Sequence, residues 1–242
     1  TLITARTIDV FSNKRSKRYE KAAALVEEGK SYSLNDAVVL LKKFPAPKFD
    51  ATVIFSAHLG VDPRKSDQMV RGSVALPHGT GKKVKVIVFA TGDAAKAATD
   101  AGADEVGFED LIKKVQGGYT DFDAAIATPD AMTEVRKIAR VLGPRGLMPN
   151  PKTGTVTNDT AAAVNAVKAG RIDYKIDKSA NIAAACGKLS FSEDQLHENL
   201  SSLVESIVKA KPASAKGNYI QSFTLAASML PGISLDISSY IA

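Results

Sequence analysis

The stretch VKVIVFATGDAAKAATDAGADEV, residues 84–106, alternates between two periodicities. Val84 to Ala90 is an apolar run broken only by Lys85, short enough for a strand covered on both faces. Gly92 and Asp93 lead into an alanine-rich helix that Gly102 ends, and Ala103 to Val106 again reads as strand. The rhythm continues downstream. Residues 109–116 read as a helix stopped by Gly117-Gly118, and Phe122 to Ala127 as a strand around Asp123. Pro129 suits the first turn of a helix running to about Arg140. Thr155 to Thr157 reads as a brief strand, and 159–169 as a helix stopped by Gly170. Strand and helix alternate, which predicts a parallel sheet flanked by helices.

On either side the style differs. Ser33, three residues before Asp36, opens a helix of about ten residues that Pro45 and Pro47 end. Phe49, Ala51, Val53, Phe55, Ala57 and Leu59 then alternate with Asp50, Thr52, Ser56 and His58, with Ile54 the exception, as in a half-buried strand. Gly60 and Asp62-Pro63 break it. After Gly170, Ile172, Tyr174 and Ile176 alternate with polar residues, and 181–185 and 188–191 are strand-like. Ser192, three before Gln195, opens a helix with Leu196, Leu200, Leu203, Val204, Ile207 and Val208 on one stripe. Lys211-Pro212 ends it, and Tyr219 to Leu225 is a last strand. The simplest architecture is a domain made from both ends of the chain, residues 1–78 and 170–242, with an α/β domain inserted at 79–169. Two chain crossings between them would form a hinge.

The 242 residues carry a formal charge of +6 and a pI of about 9.2, which favours polyanionic partners. The excess is local: residues 1–78 hold 13 Lys and Arg against 8 Asp and Glu. Lys14, Arg15, Lys17, Arg18 and Lys21 supply much of it, either as a basic handle on phosphates or as a solvated face. Hydrophobic residues are 45% and aromatics only 6%, so the cores must be aliphatic and base-stacking platforms few. No apolar run reaches the roughly 18 residues of a membrane helix, and a soluble chain with no membrane partner is expected. The single cysteine, Cys186, reads as a small core residue. The first residue, Thr1, fits a processed start or the remainder after removal of an organelle transit sequence.

Catalytic patterns fail on inspection. His58, His78 and His197 lie far apart, none beside a second ligand at metal spacing, so no metal site is expected. His78-Gly79-Thr80-Gly81-Lys82 suggests a phosphate loop. That loop needs glycine where Leu76 stands and a hydroxyl where Lys83 stands, and it should follow a strand. The dinucleotide pattern fails because Val84 takes the third glycine's place. No nucleophile with a base stands out, and neither cofactor nor small-molecule substrate is expected. Gly143-Pro144-Arg145-Gly146-Leu147-Met148-Pro149-Asn150-Pro151-Lys152 can only be a stiff loop. It presents Arg145 and Lys152 to RNA or to the other domain, or is a connector with fixed turns.

That loop, followed by Thr153-Gly154-Thr155-Val156, resembles the signature of the ribosomal protein L-one family. So do Lys48-Phe49-Asp50, Val61-Asp62-Pro63-Arg64-Lys65-Ser66-Asp67-Gln68, Val70-Arg71-Gly72, Leu76 to Lys82, Ala101-Gly102-Ala103-Asp104 and Ala215-Lys216-Gly217. The likeness runs in register over about residues 14 to 236 and is nearest the bacterial type. It implies a split first domain with a Rossmann-like three-layer α/β domain inserted. It implies a non-enzymatic constituent of the large ribosomal subunit, bound to 23S-type rRNA as the mobile stalk at the exit site. Other large-subunit components, exit-site tRNA and the leader of its own mRNA are the further partners implied. The location would be the cytoplasmic ribosome, or a mitochondrial or plastid one. Carried onto matching positions, the RNA contacts would be Lys48, Phe49, Thr52, Ser222, Ser228 and Met229, with Arg64, Lys65, Gln68 and Arg71 in the basic loop beside them. Short hydroxyls can bond a ribose, while Phe49 can equally belong to the core. The family usually has glycine where this chain has Leu230, a substitution that would matter if the backbone there needs positive φ. Two other classes compete: an α/β nucleotide-binding enzyme, and a non-ribosomal RNA-binding regulator of the same fold.

Overall fold

The computed structural model describes residues 15–27, 29–65, 67–215 and 217–238, and Lys152 without its side chain. Lys14 therefore lies outside the described residues. Helix α1 (Lys17–Ala23) is capped by Ser16, whose Oγ accepts from the Tyr19 N–H. Helix α2 (Leu34–Lys43) is capped by Ser33, whose Oγ accepts from the Asp36 N–H at 3.2 Å, the bond that the Ser33/Asp36 spacing predicts. Strand β1 (Thr52–Leu59) alternates strictly: Val53, Phe55, Ala57 and Leu59 are buried, while Thr52, Ile54, Ser56 and His58 are half-buried on the opposite face. Strand β2 (Arg71–Ala75) follows.

The central segment forms β3 (Val86–Phe89), α3 (Asp93–Asp100), β4 (Glu105–Gly107), α4 (Glu109–Gln116) and β5 (Ala124–Ala127). The path continues through α5 (Met132–Val135), a 3-10 turn at Arg136–Ile138, α6 (Ala139–Leu142), a second 3-10 turn at Pro151–Thr153, and α7 (Thr160–Lys168). The sheet order is β4-β3-β5 and both pairings are parallel. All of β3 is buried because both faces are covered. Ile87 and Phe89 pack with Leu111, Ile112 and Val115 of α4 and with Val135, Ile138 and Leu142. Val86 and Val88 pack on the other face with Ala98 of α3 and Val164 and Val167 of α7. The helix expected to run from Pro129 to Arg140 is instead a broken path from Met132 to Leu142. The strand expected at 155–157 reduces to a single parallel bridge between Val156 and Ala127.

The chain then returns as β6 (Arg171–Lys175), β7 (Asn181–Lys188), α8 (Glu193–Lys209), β8 (Ile220–Ala227) and β9 (Ile233–Leu235). β6 pairs antiparallel with β2, and β7-β1-β8-β9 form an antiparallel sheet. The strand expected at 181–185 runs on to Lys188, with a register shift opposite Val53/Ile54, whereas the strand expected at 188–191 does not form: residues 189–191 turn the chain toward the next helix. Ser192 and Gln195 cap α8 reciprocally, and Leu196, Leu200, Leu203, Val204 and Ile207 of its stripe have no exposed surface. They join α2, β1, β7 and β8 in one cluster around Phe55 and Phe223, whose ring centroids lie 5.0 Å apart. Among the described residues this cluster takes nothing between Leu76 and Gly170.

Candidate nucleic-acid interface

At the N-terminal end of β1 three strands present one row of side chains. Lys188 ends β7 opposite Thr52. Its Nζ donates to Thr52 Oγ1 at 2.8 Å. On the other flank of Thr52, just past β8, Ser228 donates through its N–H (3.0 Å) and its hydroxyl (3.4 Å) to the Thr52 carbonyl. Thr52, Lys188 and Ser228 are all half-buried, so they are fixed by the sheet yet open on one side. Met229, next in the chain, is 69% exposed and sits at φ +61°. A left-handed methionine costs roughly 1–2 kcal/mol, and an exposed apolar residue held in that conformation is the kind of strain found where ligands bind. Its carbonyl accepts from Arg18 Nη2 at 3.2 Å, which brings the basic helix α1 to this corner. Arg15 stacks over the Tyr19 ring at 4.9 Å, and Lys17 is exposed. Leu230, at the position usually glycine in the family, has no positive φ and its side chain is buried in the core. The unusual backbone belongs to Met229 instead.

Lys48 and Phe49 stand just before this row. Phe49 begins no apolar face: it lies outside β1 and is 48% exposed. The alternative reading, a side chain free to contact a partner, fits its placement. Asp50 anchors the segment by accepting from Ser190 through its N–H (3.2 Å) and its hydroxyl (2.8 Å).

The remaining candidates gather at the opposite end of β1. Ser222 pairs with His58, and Arg64 and Lys65 are exposed on the turn after Leu59. Asp62 and Pro63 shape that turn, Asp62 Oδ1 accepting from the Arg64 N–H at 3.1 Å. Gln68 is hydrogen-bonded within the protein through both ends of its amide. Its Oε1 accepts from the Asp62 N–H at 2.8 Å and its Nε2 donates to the Ser214 carbonyl at 3.2 Å. It holds the loop in shape. The two clusters are separated by the length of an eight-residue strand, roughly 23 Å at about 3.3 Å per residue. The site is thus an extended face and not a pocket.

Arg71 lies directly opposite Lys175 in the β2/β6 ribbon. Like charges in register are unfavourable in water and are offset by an anionic partner. Asp173 lies nearby, but partial removal of its carboxyl from water holds its pKa above the usual range despite Arg171 and Arg71, so it offsets little of that charge. Arg71, Asp173 and Lys175 line a cleft whose far side is Gly146, Met148, Asn150 and Thr153 of the proline-rich loop. Arg171 ties the two sides together, donating through Nη2 to Ser73 Oγ at 2.6 Å and to the Thr153 carbonyl. The loop therefore faces the ribbon. Arg145 is exposed and donates to Thr120 Oγ1, and Lys152 lies in the second 3-10 turn.

Electrostatics separates the segments only in degree, since Lys83, Lys113, Arg136, Arg140, Arg145 and Lys168 of the central segment also have no carboxylate within ion-pair distance among the described residues. Lys82, Lys85, Lys96, Lys114 and Lys137 of the central segment pair with Asp123, Asp121, Asp93, Glu105 and Glu134. Among the described residues, Arg18, Lys48, Arg64, Lys65, Arg71 and Lys188 have no carboxylate within ion-pair distance. Two structural residues had no place in the sequence reading of the site. Lys188 carried no signal beyond ending a strand. Asn199 did carry one, as a polar residue inside the stripe of Leu196, Leu200 and Leu203. It is completely buried. Its Nδ2 donates to the carbonyls of Gly79 (3.0 Å) and Cys186 (2.8 Å), and its Oδ1 accepts from the His78 N–H at 3.1 Å. It locks the outgoing chain crossing to the core.

The pattern of the Ribosomal protein L1p/L10e family matches residues 41–231. Large ribosomal subunit protein uL1 of Renibacterium salmoninarum is 56% identical over 223 residues, 92% of this chain and 95% of that protein. The proteins of the same name from Clavibacter michiganensis subsp. michiganensis (54% identical, 93% of this chain, 99% of that protein) and Lactobacillus delbrueckii subsp. bulgaricus (57%, 92%, 96%) match equally broadly. These relatives bear the names of ribosomal components and not of enzymes. By sequence pattern, and by identity maintained over nine-tenths of its length, the chain belongs to the ribosomal protein L1p/L10e family.

Proposed function

We propose that this chain is a structural constituent of the large ribosomal subunit and binds 23S-type rRNA through a domain composed of residues 1–78 and 170–242. Residues 79–169 form the Rossmann-like inserted domain. The observation that carries this reading is the division of charge. Among the described residues, cations at both ends of β1 have no carboxylate within ion-pair distance, and only Lys30 and Lys209 of the two end segments are paired, against Lys82, Lys85, Lys96, Lys114 and Lys137 of the shorter central segment. Unpaired cations spread along a rigid strand suit the phosphates of a folded RNA, and the hydroxyl row between them suits riboses. The sorting of buried residues into a two-ended cluster and two central clusters supports the domain division.

On the ribosome the protein forms the mobile stalk at the exit site and helps to release deacylated tRNA. It also represses translation of its own message by binding a leader that mimics the rRNA site. Each crossing between the two units is a single strand of chain, which supports a role for their relative movement. Titration of the full chain with a stalk rRNA fragment at several salt concentrations tests the core of this reading. Log affinity should fall linearly with log salt, and changing Lys14, Arg15, Lys17 and Arg18 together to Ala should flatten the slope. Stabilisation by nucleotide without any affinity for RNA would favour an enzyme instead.

A further inference from the structure

The central segment carries its positive charge in one short run. Residues 79–169 hold 12 Lys and Arg against 11 Asp and Glu, yet residues 132–145 alone hold four against one. The rest of the segment is therefore acidic, with eight against ten. The four cations are Arg136, Lys137, Arg140 and Arg145, and all are exposed.

Packing turns this run outward. Val135, Ile138 and Leu142 are buried against Ile87 and Phe89 of β3, which leaves Arg136, Lys137 and Arg140 on the solvent side. Arg136 and Arg140 are four residues apart on this path, a spacing that makes side chains on a helix neighbours. Among the described residues neither guanidinium has a hydrogen-bond or ion-pair partner, whereas Lys137 pairs with Glu134 at 2.7 Å. Two like charges so placed repel unless an anion lies over them. The Gly146 N–H then bonds the Gly143 carbonyl at 3.1 Å, closing a turn that holds Pro144 and Arg145. Arg145 reaches Thr120, just beyond α4, and α4 itself lies against the 3-10 turn that carries Arg136.

The opposite layer differs. Helices α3 and α7, over Val86 and Val88, carry Asp93 and Asp100 and the cap Asp159 against Lys96 and Lys168. Lys96 lies 3.9 Å from Asp93, and Lys168 donates to the Gly102 carbonyl. One side of the β4-β3-β5 sheet is thus cationic with unused donors. The other is mildly acidic, with its lysines engaged.

We propose that the outer face of α5, the first 3-10 turn and α6 is a second RNA-contacting surface, which takes the phosphate backbone of a duplex RNA segment other than the one gripped by the split domain. The guanidinium fork matches phosphate oxygens two at a time and is always charged. Among the described residues no large apolar side chain is exposed on this face. Bases find nothing to stack on there, so the contact is to the backbone and independent of sequence. This surface is separate from the one proposed above, which lies in residues 1–78 and 170–242. Contacts to so few phosphates are weak and salt-sensitive, so recognition of the stalk fragment stays with the split domain.

The test uses the one-to-one complex of the full chain with a stalk rRNA fragment, and a labelled plain RNA duplex as second ligand. The unaltered complex should bind the duplex, with log affinity falling linearly in log salt. Arg136→Gln with Arg140→Gln should lower that slope by about 1.8, two contacts at about 0.9 each, so that a fourfold rise in salt costs the variant about tenfold less. Arg136→Lys with Arg140→Lys keeps both charges and should restore the slope. Lys96→Gln, on the opposite layer, should leave it unchanged. All three proteins should bind the stalk fragment as the unaltered chain does; a double glutamine variant that loses the fragment would place these arginines in the fold or the first surface and overturn the proposal. So would an unchanged slope in that variant, or failure of the unaltered complex to bind the duplex. Displacement of the duplex by polyglutamate as readily as by unlabelled duplex would assign the face to acidic protein and overturn the RNA reading. Failure of the unaltered chain to bind the stalk fragment overturns the function proposed above, and the same slope criterion, applied to the free chain, then decides the second surface.

Discussion

Gly79 and Gly170 meet where the chain leaves for the central segment and where it returns. A Cβ built on Gly170 would lie 2.2 Å from the Cα of Gly79, and Gly170 holds φ at +104°. The contact is backbone against backbone, so no side chain can move aside. The adjacent bond from the Leu76 N–H to the Gly170 carbonyl, 3.4 Å long, binds the same two strands of chain.

Gly170→Ala should therefore destabilise the protein by at least about 2 kcal/mol, from left-handed strain and from separation of the crossings. Urea unfolding followed by circular dichroism measures it. An alanine variant of unchanged midpoint and slope would show that the crossings are looser than this contact implies.

Asn199→Leu removes three hydrogen bonds from a fully buried place and leaves the Gly79 and Cys186 carbonyls and the His78 N–H unpaired. Stability should fall by about 3 kcal/mol or more, since each unsatisfied buried group costs roughly 1–3 kcal/mol. Hydrogen exchange at residues 78 and 79 should accelerate more than exchange within β3. Uniform acceleration across the chain would contradict a lock specific to the crossing.

Cys186 is a thiol whose burial pushes its pKa from an ordinary 9.0 up to about 12. The folded state keeps the proton that the unfolded state releases. Its stabilising contribution is complete below the unfolded pKa and is lost as pH climbs through the folded one, across roughly pH 9 to 12. Below that window iodoacetamide should modify the native protein only as fast as it unfolds. Rapid alkylation of the native form at pH 8 would contradict the burial.

Thr52→Val keeps the shape of the side chain and removes its hydroxyl. Binding to stalk rRNA should weaken by about 1 kcal/mol or more. Equal dissociation constants for both proteins would remove Thr52 from the interface.

Much of the fold was legible because its periodicities are local. The all-apolar β3, the glycine-ended α3 and α4, the strict alternation of β1 and the stripe of α8 each declare themselves within about ten residues. β2 did not. Arg71-Gly72-Ser73-Val74-Ala75 has weak strand propensity and becomes a strand only by pairing with Arg171–Lys175, about a hundred residues away. Gly72 is there because the Tyr174 ring fills the space of its side chain, a Cβ coming within 2.7 Å of the tyrosine Oη. The candidate interface was legible only in part for the same reason. Thr52, Ser228 and Met229 came from family resemblance, whereas the Lys188 bond exists only once β7 lies beside β1. Gln68, equally suggestive as a polar residue in a basic loop, also holds that loop through bonds to Asp62 and Ser214 that no local pattern declares.

In the function proposed, two distant stretches of chain combine into the RNA-gripping surface. Residues 1–78 and 170–242, joined by a short linker and checked for cooperative unfolding, should bind the stalk rRNA fragment with nearly the affinity of the whole chain. Residues 79–169 alone should not. Binding that follows the central segment, and is lost from the joined ends, would contradict the account.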